Sequence, residues 1–303
     1  MTGPMLPRER CEYSAIVDRP PLKLPSGART IIWTIVNLEV WDISKPMARQ
    51  VIPAPTGVPL LPDVPNWSWH EYGMRVGVWR FFDLFKKLGI RPTLSINARV
   101  CEDYPRVAQQ AKDAGWEFMG HAYEQGPIHK ESDQQAMIKR SMEVIEKFTG
   151  KRPVGWLGPG LTQTLDTPEY LAEAGVRYIG DWVYDDEPTV IRTAKGPLTT
   201  LPYTVELNDI PMMMVQHHQA EHYQKRAIDM FDRLYLESAE RPKIVSLAIH
   251  PYISGQPFRI KYLEQVYDYF NKHEGVVHWN GAEILDWYTA QAAAKGDSKG
   301  AAA

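Results

Sequence analysis

An apolar run ends at Gly120-His121 in "EFMGHAYEQG", and Gln125 stands four residues beyond the histidine, where a second metal-binding histidine could sit. Two other apolar runs end the same way. "IVNLEV" places Asn37 and Glu39 at its close, and "LAIHPY" places His250 and Tyr252. A carboxylate and two imidazoles at the ends of three strands are what general acid–base hydrolysis needs, one group to take a proton from water and another to return one. Asp42, Asn97, Glu124, Trp156, Pro159, Asp181, Tyr184 and Asp185 fall at comparable positions. With aromatic side chains as walls, this is a hydrolase-like set whose substrate the pattern alone does not name.

The elements that must position these groups alternate. Four times a helical pattern runs into a glycine and then a short β-rich segment: "VWRFFDLFKKLG", "RVAQQAKDAG", "MIKRSMEVIEKFTG" and "PEYLAEAG" each precede one. Gly89, Gly115, Gly150 and Gly175 are placed to end those helices in the left-handed conformation. Phe81, Leu84, Phe85 and Leu88 make one apolar stripe; Met137, Met142, Ile145 and Phe148 make another. "TIIWTIVNLEV" reads as the first strand, and "KIVSLAIHPY" and "VVHWN" as the last two. Strands alternating with helices predict a parallel sheet, and seven or eight units favour a closed α/β barrel, with its site at the C-terminal strand ends. No GxGxxG follows the first strand, which disfavours a dinucleotide fold.

The 303 residues are read as one domain, with a core over about 28–290 and an unstructured tail over 292–303. A net charge of -3 argues against nucleic acid as a partner. Two cysteines without a CxxC suit a reducing compartment. With no signal-like N-terminus and no run able to span a membrane, a cytoplasmic protein with no membrane partner is expected. The proline-rich connection 42–74, with Trp67, Trp69 and His70, is expected to be a lid or a subunit contact. Asp185, Asp186 and Glu187 read as a solvated acidic loop, His217, His218 and His222 as a surface group, and Met212–Met214 as core or subunit contact.

The segments "VNLEVWD", "GHAYEQG", "GWLGPGLTQTLDTPEYLAEAG", "DWVYDDEP" and "SLAIHPYISGQPFRIKYL" together resemble the NodB-type polysaccharide deacetylase superfamily, in its intracellular allantoinase-like and cyclic imide hydrolase-like branch. The likeness spans roughly residues 30–290. It implies a distorted (β/α) barrel of about seven parallel strands, and a homo-oligomer, tetramer or dimer. Metal-dependent members carry an aspartate base, an aspartate ligand and His-x-x-x-His. By position these fall on Asn37, Glu39, His121 and Gln125. Asn37 cannot act as a base, and an amide is a poor zinc ligand, so the resemblance implies no cofactor or a weakly held zinc on Glu39, His121 and Gln125. The function expected is opening of a small cyclic imide or ureide ring. Glu39 activates water, His121 and Gln125 steady it, and His250 protonates the leaving nitrogen. Asn37, Gln125, Trp156, Pro159 and Tyr184 line the substrate pocket. The alternatives are a metal-dependent N-deacetylase of amino sugars or glycans, and a catalytically inactive member.

Overall fold

The computed structural model describes residues 4–300, with side chains described as far as Gln291. Seven parallel strands form a curled wall: β1 (Thr30–Leu38), β2 (Thr93–Ile96), β3 (Glu117–Gly120), β4 (Gly155–Trp156), β5 (Tyr178–Ile179), β7 (Leu198–Thr200) and β8 (Lys243–Ile249). Their spatial order is β7-β5-β4-β3-β2-β1-β8. A parallel bridge between Asn208 and Ala248 draws the chain after β7 onto β8 and closes the curl. Two short strands were not expected in these roles. β6 (Thr189–Ile191) pairs antiparallel with β7, and β9 (Val276–His278) shares one edge of β1 with β2.

Strand parity decides what reaches the barrel mouth. Successive side chains of a strand point to opposite faces. In β1, Ile31, Trp33 and Ile35 pack inside the barrel with Met119, Leu157, Tyr178 and Leu201. Ile32, Val36 and Leu38 pack outward with helix residues such as Phe81 and Phe85. Continuing that count puts Asn37 and Glu39 inside. In β8 Ile244 and Ala248 are inward and Val245, Leu247 and Ile249 outward, so His250 comes next inside. In β3 Met119 is inward and Phe118 outward, which sends His121 inward as well.

The barrel floor is a buried polar plug. Trp33 Nε1 donates to Thr93 Oγ1 (2.8 Å), Thr93 donates to Glu117 (2.7 Å), and the Tyr178 hydroxyl donates to the other Glu117 oxygen (2.9 Å). Burial raises the Glu117 carboxyl above its ordinary range, and these donors partly offset the rise. The four glycines expected to end helices all have positive φ. The last helix is Gly281–Gly300. The unstructured tail expected over 292–303 therefore lies outside the residues whose side chains are described.

One seam holds the mouth in shape. The helix Val64–Tyr72 continues through a π-helical turn, Gly73–Gly77, into Val78–Leu88. That turn lies on the backbone following His250. A Cβ on Gly77 would meet Pro251 O at 2.1 Å, and one on Gly73 would meet Tyr252 N at 2.8 Å. π-Turns often occur at functional sites, and here the bare backbone lets the helix approach the segment carrying His250 and Tyr252. Gly77→Ala is expected to cost about 1–3 kcal/mol by overpacking. Chemical denaturation checks it; a midpoint equal to wild type would show that the seam is not tight.

Candidate active site

Glu39 is the hub. Its Oε1 accepts from Gln125 Nε2 (2.9 Å) and lies 3.4 Å from His250 Nε2 and 3.8 Å from His121 Nε2. Its Oε2 accepts from Trp41 Nε1 and the Tyr252 hydroxyl, both at 3.2 Å. Burial by itself opposes ionisation of Glu39. The charge of His250, together with the neighbouring His121, outweighs it and holds the carboxyl well below the usual range. Trp41, His70, Trp69 and Tyr252 pack around this hub in tilted and edge-to-face pairs, with ring centroids 4.3–5.2 Å apart.

His250 lies between two carboxylates. Its Nδ1 donates to Asp209 Oδ1 (2.6 Å), and the other Asp209 oxygen accepts from the His250 amide (2.8 Å) and Ser254 Oγ (2.6 Å). Burial lowers its proton affinity, but Asp209 and Glu39 together raise it to about 9. The imidazolium is therefore the resting form at neutral pH, and it points Nε2–H at Glu39.

His121 is held differently. Its Nδ1 donates to Leu157 O (2.6 Å), and its Nε2 is buried without a hydrogen-bond partner, 3.8 Å from Glu39 Oε1.

The polarity of Gln125 follows from a chain that starts at a backbone amide. Val40 N–H donates to Asn97 Oδ1 (2.8 Å), so Asn97 Nδ2 must face the other way, towards His121 O and Gln125 Oε1 (3.2 Å). Gln125 therefore turns its NH₂ to Glu39. A zinc ion on Glu39, His121 and Gln125 would meet this N–H, not a lone pair. His250, protonated, cannot replace it. Glu39 and His121 alone are two donors where a structural or catalytic zinc takes three or four. Among the described residues no group of three or more His, Cys, Asp or Glu could hold a metal ion. The side chains present do not fit a three-ligand zinc site.

A cavity of about 150 Å³ opens at this point, lined by Asn37, Glu39, Trp41, Arg49, His121, Gln125 and His250, with Leu157–Gly158, Gly160–Leu161 and the 203–211 segment completing it. Glu39, His121, His250, Asn37 and Gln125 are thus brought together from three strand ends. Three other expected pocket residues are not. Trp156 is fully buried on the outer face of β4, packed with Met142, Leu171 and Ile179. The parity that sends Leu157 inward sends Trp156 outward. Pro159 is buried beside the cavity, whose wall there is Gly158, Gly160 and Leu161. Tyr184 is 45% exposed, hydrogen-bonded to Thr189, and lines a separate surface groove. Asp185–Glu187 is also not a freely solvated loop: Arg19 pairs with Asp185 (2.6 Å) and Arg241 with Glu187 (2.7 Å), tying down the N-terminal arm. Asp181, buried and pushed up to about 6 by that burial, accepts from Gly158 N (2.6 Å) and Gln163 (2.6 Å) and so fixes the cavity turn. Asp209 and Arg49 were missed by the sequence reading. The only signal for Asp209 was that a buried histidine needs an anion behind it, and nothing in "ELNDIP" identifies which acid supplies it.

Barrel, parity and carboxylate–imidazole hub make a candidate hydrolytic site at the C-terminal strand ends. The chain matches the family described as Polysaccharide deacetylase over residues 69–179. It is 27% identical over 245 residues to a peptidoglycan deacetylase of Helicobacter pylori, covering 70% of this chain and 83% of that protein. Among solved structures, a probable polysaccharide deacetylase from Pseudomonas aeruginosa superposes with a TM-score of 0.82 at 27% identity, covering 89% and 94% of the two chains. PuuE allantoinase superposes with a TM-score of 0.81 at 27% identity, covering 90% and 94%. The chain is similar in sequence and in fold to the polysaccharide deacetylase superfamily, and these similarities point to a hydrolase of C–N bonds.

Proposed function

We propose that this hydrolase opens a small cyclic imide or ureide ring without a tightly held metal. The observation that carries the reading is the amide chain from Val40 through Asn97, which presents Gln125 N–H where a metal-dependent site would present a lone pair. Such a site suits a substrate whose leaving nitrogen is already acidic, because a flanking carbonyl delocalises the charge on it. Lost Lewis-acid stabilisation amounts to several kcal/mol, and one aimed hydrogen-bond donor supplies about 2.7–4 kcal/mol. The cavity volume agrees, since about 150 Å³ is room for one small ring.

The catalytic cycle in this reading moves one proton around the hub. A water donates one hydrogen to His121 Nε2 and the other to Glu39 Oε1, and its oxygen attacks the ring carbonyl. Glu39 takes the proton as the C–O bond forms, and the second hydrogen of Gln125 Nε2 meets the oxyanion. His250 Nε2–H passes to the ring nitrogen as the C–N bond breaks. Glu39 is a weak base while His250 is charged, but loss of that charge strengthens it, so the two transfers reinforce each other. The proton on Glu39 then returns across 3.4 Å to His250, and the product leaves as an acid and an amide or ureide.

Hydantoin, succinimide, dihydrouracil and allantoin, each offered to purified protein before and after chelation, test the reading. Ring opening insensitive to chelator supports it. Stoichiometric zinc with chelator-sensitive release of acetate from an N-acetylated sugar would replace it with the N-deacetylase reading, which the peptidoglycan deacetylase relative favours. Cytoplasmic residence and assembly into a dimer or tetramer belong to the same proposal; no helix among the described residues is long and apolar enough to cross a membrane.

A further inference from the structure

Arg49 stands out from the other cations at the barrel mouth. Lys45 is paired with Asp42 (3.2 Å) and Glu124 (3.0 Å), and Arg99 with Asp103 (2.9 Å) and Glu124 (3.0 Å), so the acids of the rim already have partners. Arg49 is half-buried in the cavity wall and has no hydrogen-bond or ion-pair partner among the described residues. The wall contains one carboxylate, Glu39, which His250 already neutralises; Asp209 sits behind His250 and is not part of it. A guanidinium held partly out of water without an anion is unfavourable unless a ligand supplies one, and its planar fork matches a carboxylate through two parallel hydrogen bonds.

We infer that Arg49 is a specificity residue which binds a carboxylate carried on the ring substrate, so the preferred substrate is an anionic cyclic imide or ureide and not the unsubstituted ring. This rests on the hydrolase reading above and narrows its substrate class. The connection between β1 and the helix Val64–Tyr72 then has a binding role: it carries Arg49 into the wall while Ile52, Val58 and Leu61 remain exposed on its outer side.

The test is direct binding of a matched pair, dihydroorotate and dihydrouracil, which share a ring and differ by one carboxylate. Calorimetry is run on wild type, R49K and R49Q, with circular dichroism confirming that each variant is folded. Wild type is expected to bind dihydroorotate about tenfold or more tighter than dihydrouracil. R49Q should erase that ratio, and R49K should restore part of it, because charge without the fork is an incomplete match. Equal affinities in wild type, absence of binding by both rings, or a ratio that survives in R49Q would overturn the inference. Turnover is scored separately: failure to open any ring refutes the ring-opening reading, whereas a flat binding ratio with ring opening intact refutes only the role of Arg49.

Discussion

Glu39→Gln is expected to lower turnover about a hundredfold or more while the protein remains folded. The carboxylate is the only group in contact with all the others: Gln125, Trp41 and Tyr252 donate to it, and His250 faces it at 3.4 Å. An amide of the same shape keeps the volume but cannot take a proton, and it loses the charge that holds His250 protonated. Two measurements check this, steady-state rate on the best ring substrate and the thermal midpoint. A rate within a few-fold of wild type would remove Glu39 from the chemistry, and a collapsed midpoint would show that its role is structural. A third readout separates the two, because the basic limb of the pH–rate profile should move to lower pH when His250 loses its carboxylate neighbour.

His250→Ala should have a double effect. Turnover falls about a hundredfold or more because the leaving nitrogen has no proton donor. Stability falls by about 3–5 kcal/mol because Asp209 is left buried and charged with only Ser254 and a backbone amide as partners. The wild-type pH dependence follows from the same pair. His250 has a folded proton affinity raised to about 9, so the folded state holds more protons than the unfolded one above the ordinary imidazole range. Its stabilising contribution is complete below about 6.5 and is lost as pH rises through about 9. Activity that needs the imidazolium is lost over the same upper limb. A rate that stays flat through pH 10 would mean that another group protonates the nitrogen.

Much of the site could be read from the chain because a strand is a two-fold ruler. Glu39, His121 and His250 each lie one residue past the end of a short apolar run, and alternation of side-chain direction along the strand puts all three on one face. The same ruler assigns Trp156 to the outer face, and reading it as a pocket wall ignored the inward count that puts Leu157 inside. Tyr184 failed for another reason. Its segment leaves the parallel wall for the β6–β7 hairpin, an antiparallel excursion that short apolar runs do not announce.

What the sequence determined by itself is the alternation of strand and helix, the glycine stops between them, and the arrival of one acid and two imidazoles at a common barrel mouth. All of these depend on neighbours close in the chain, where periodicity and backbone preference act. Only the tertiary structure decided the charge on Glu39 and His250 and the polarity of the amide beside them. Asp209, 41 residues from His250, keeps that imidazole charged, and Val40 N–H, acting through Asn97, turns Gln125 towards Glu39. Proton affinity and amide orientation depend on which dipoles stand within about 3 Å in space, and residues far apart in the chain supply them.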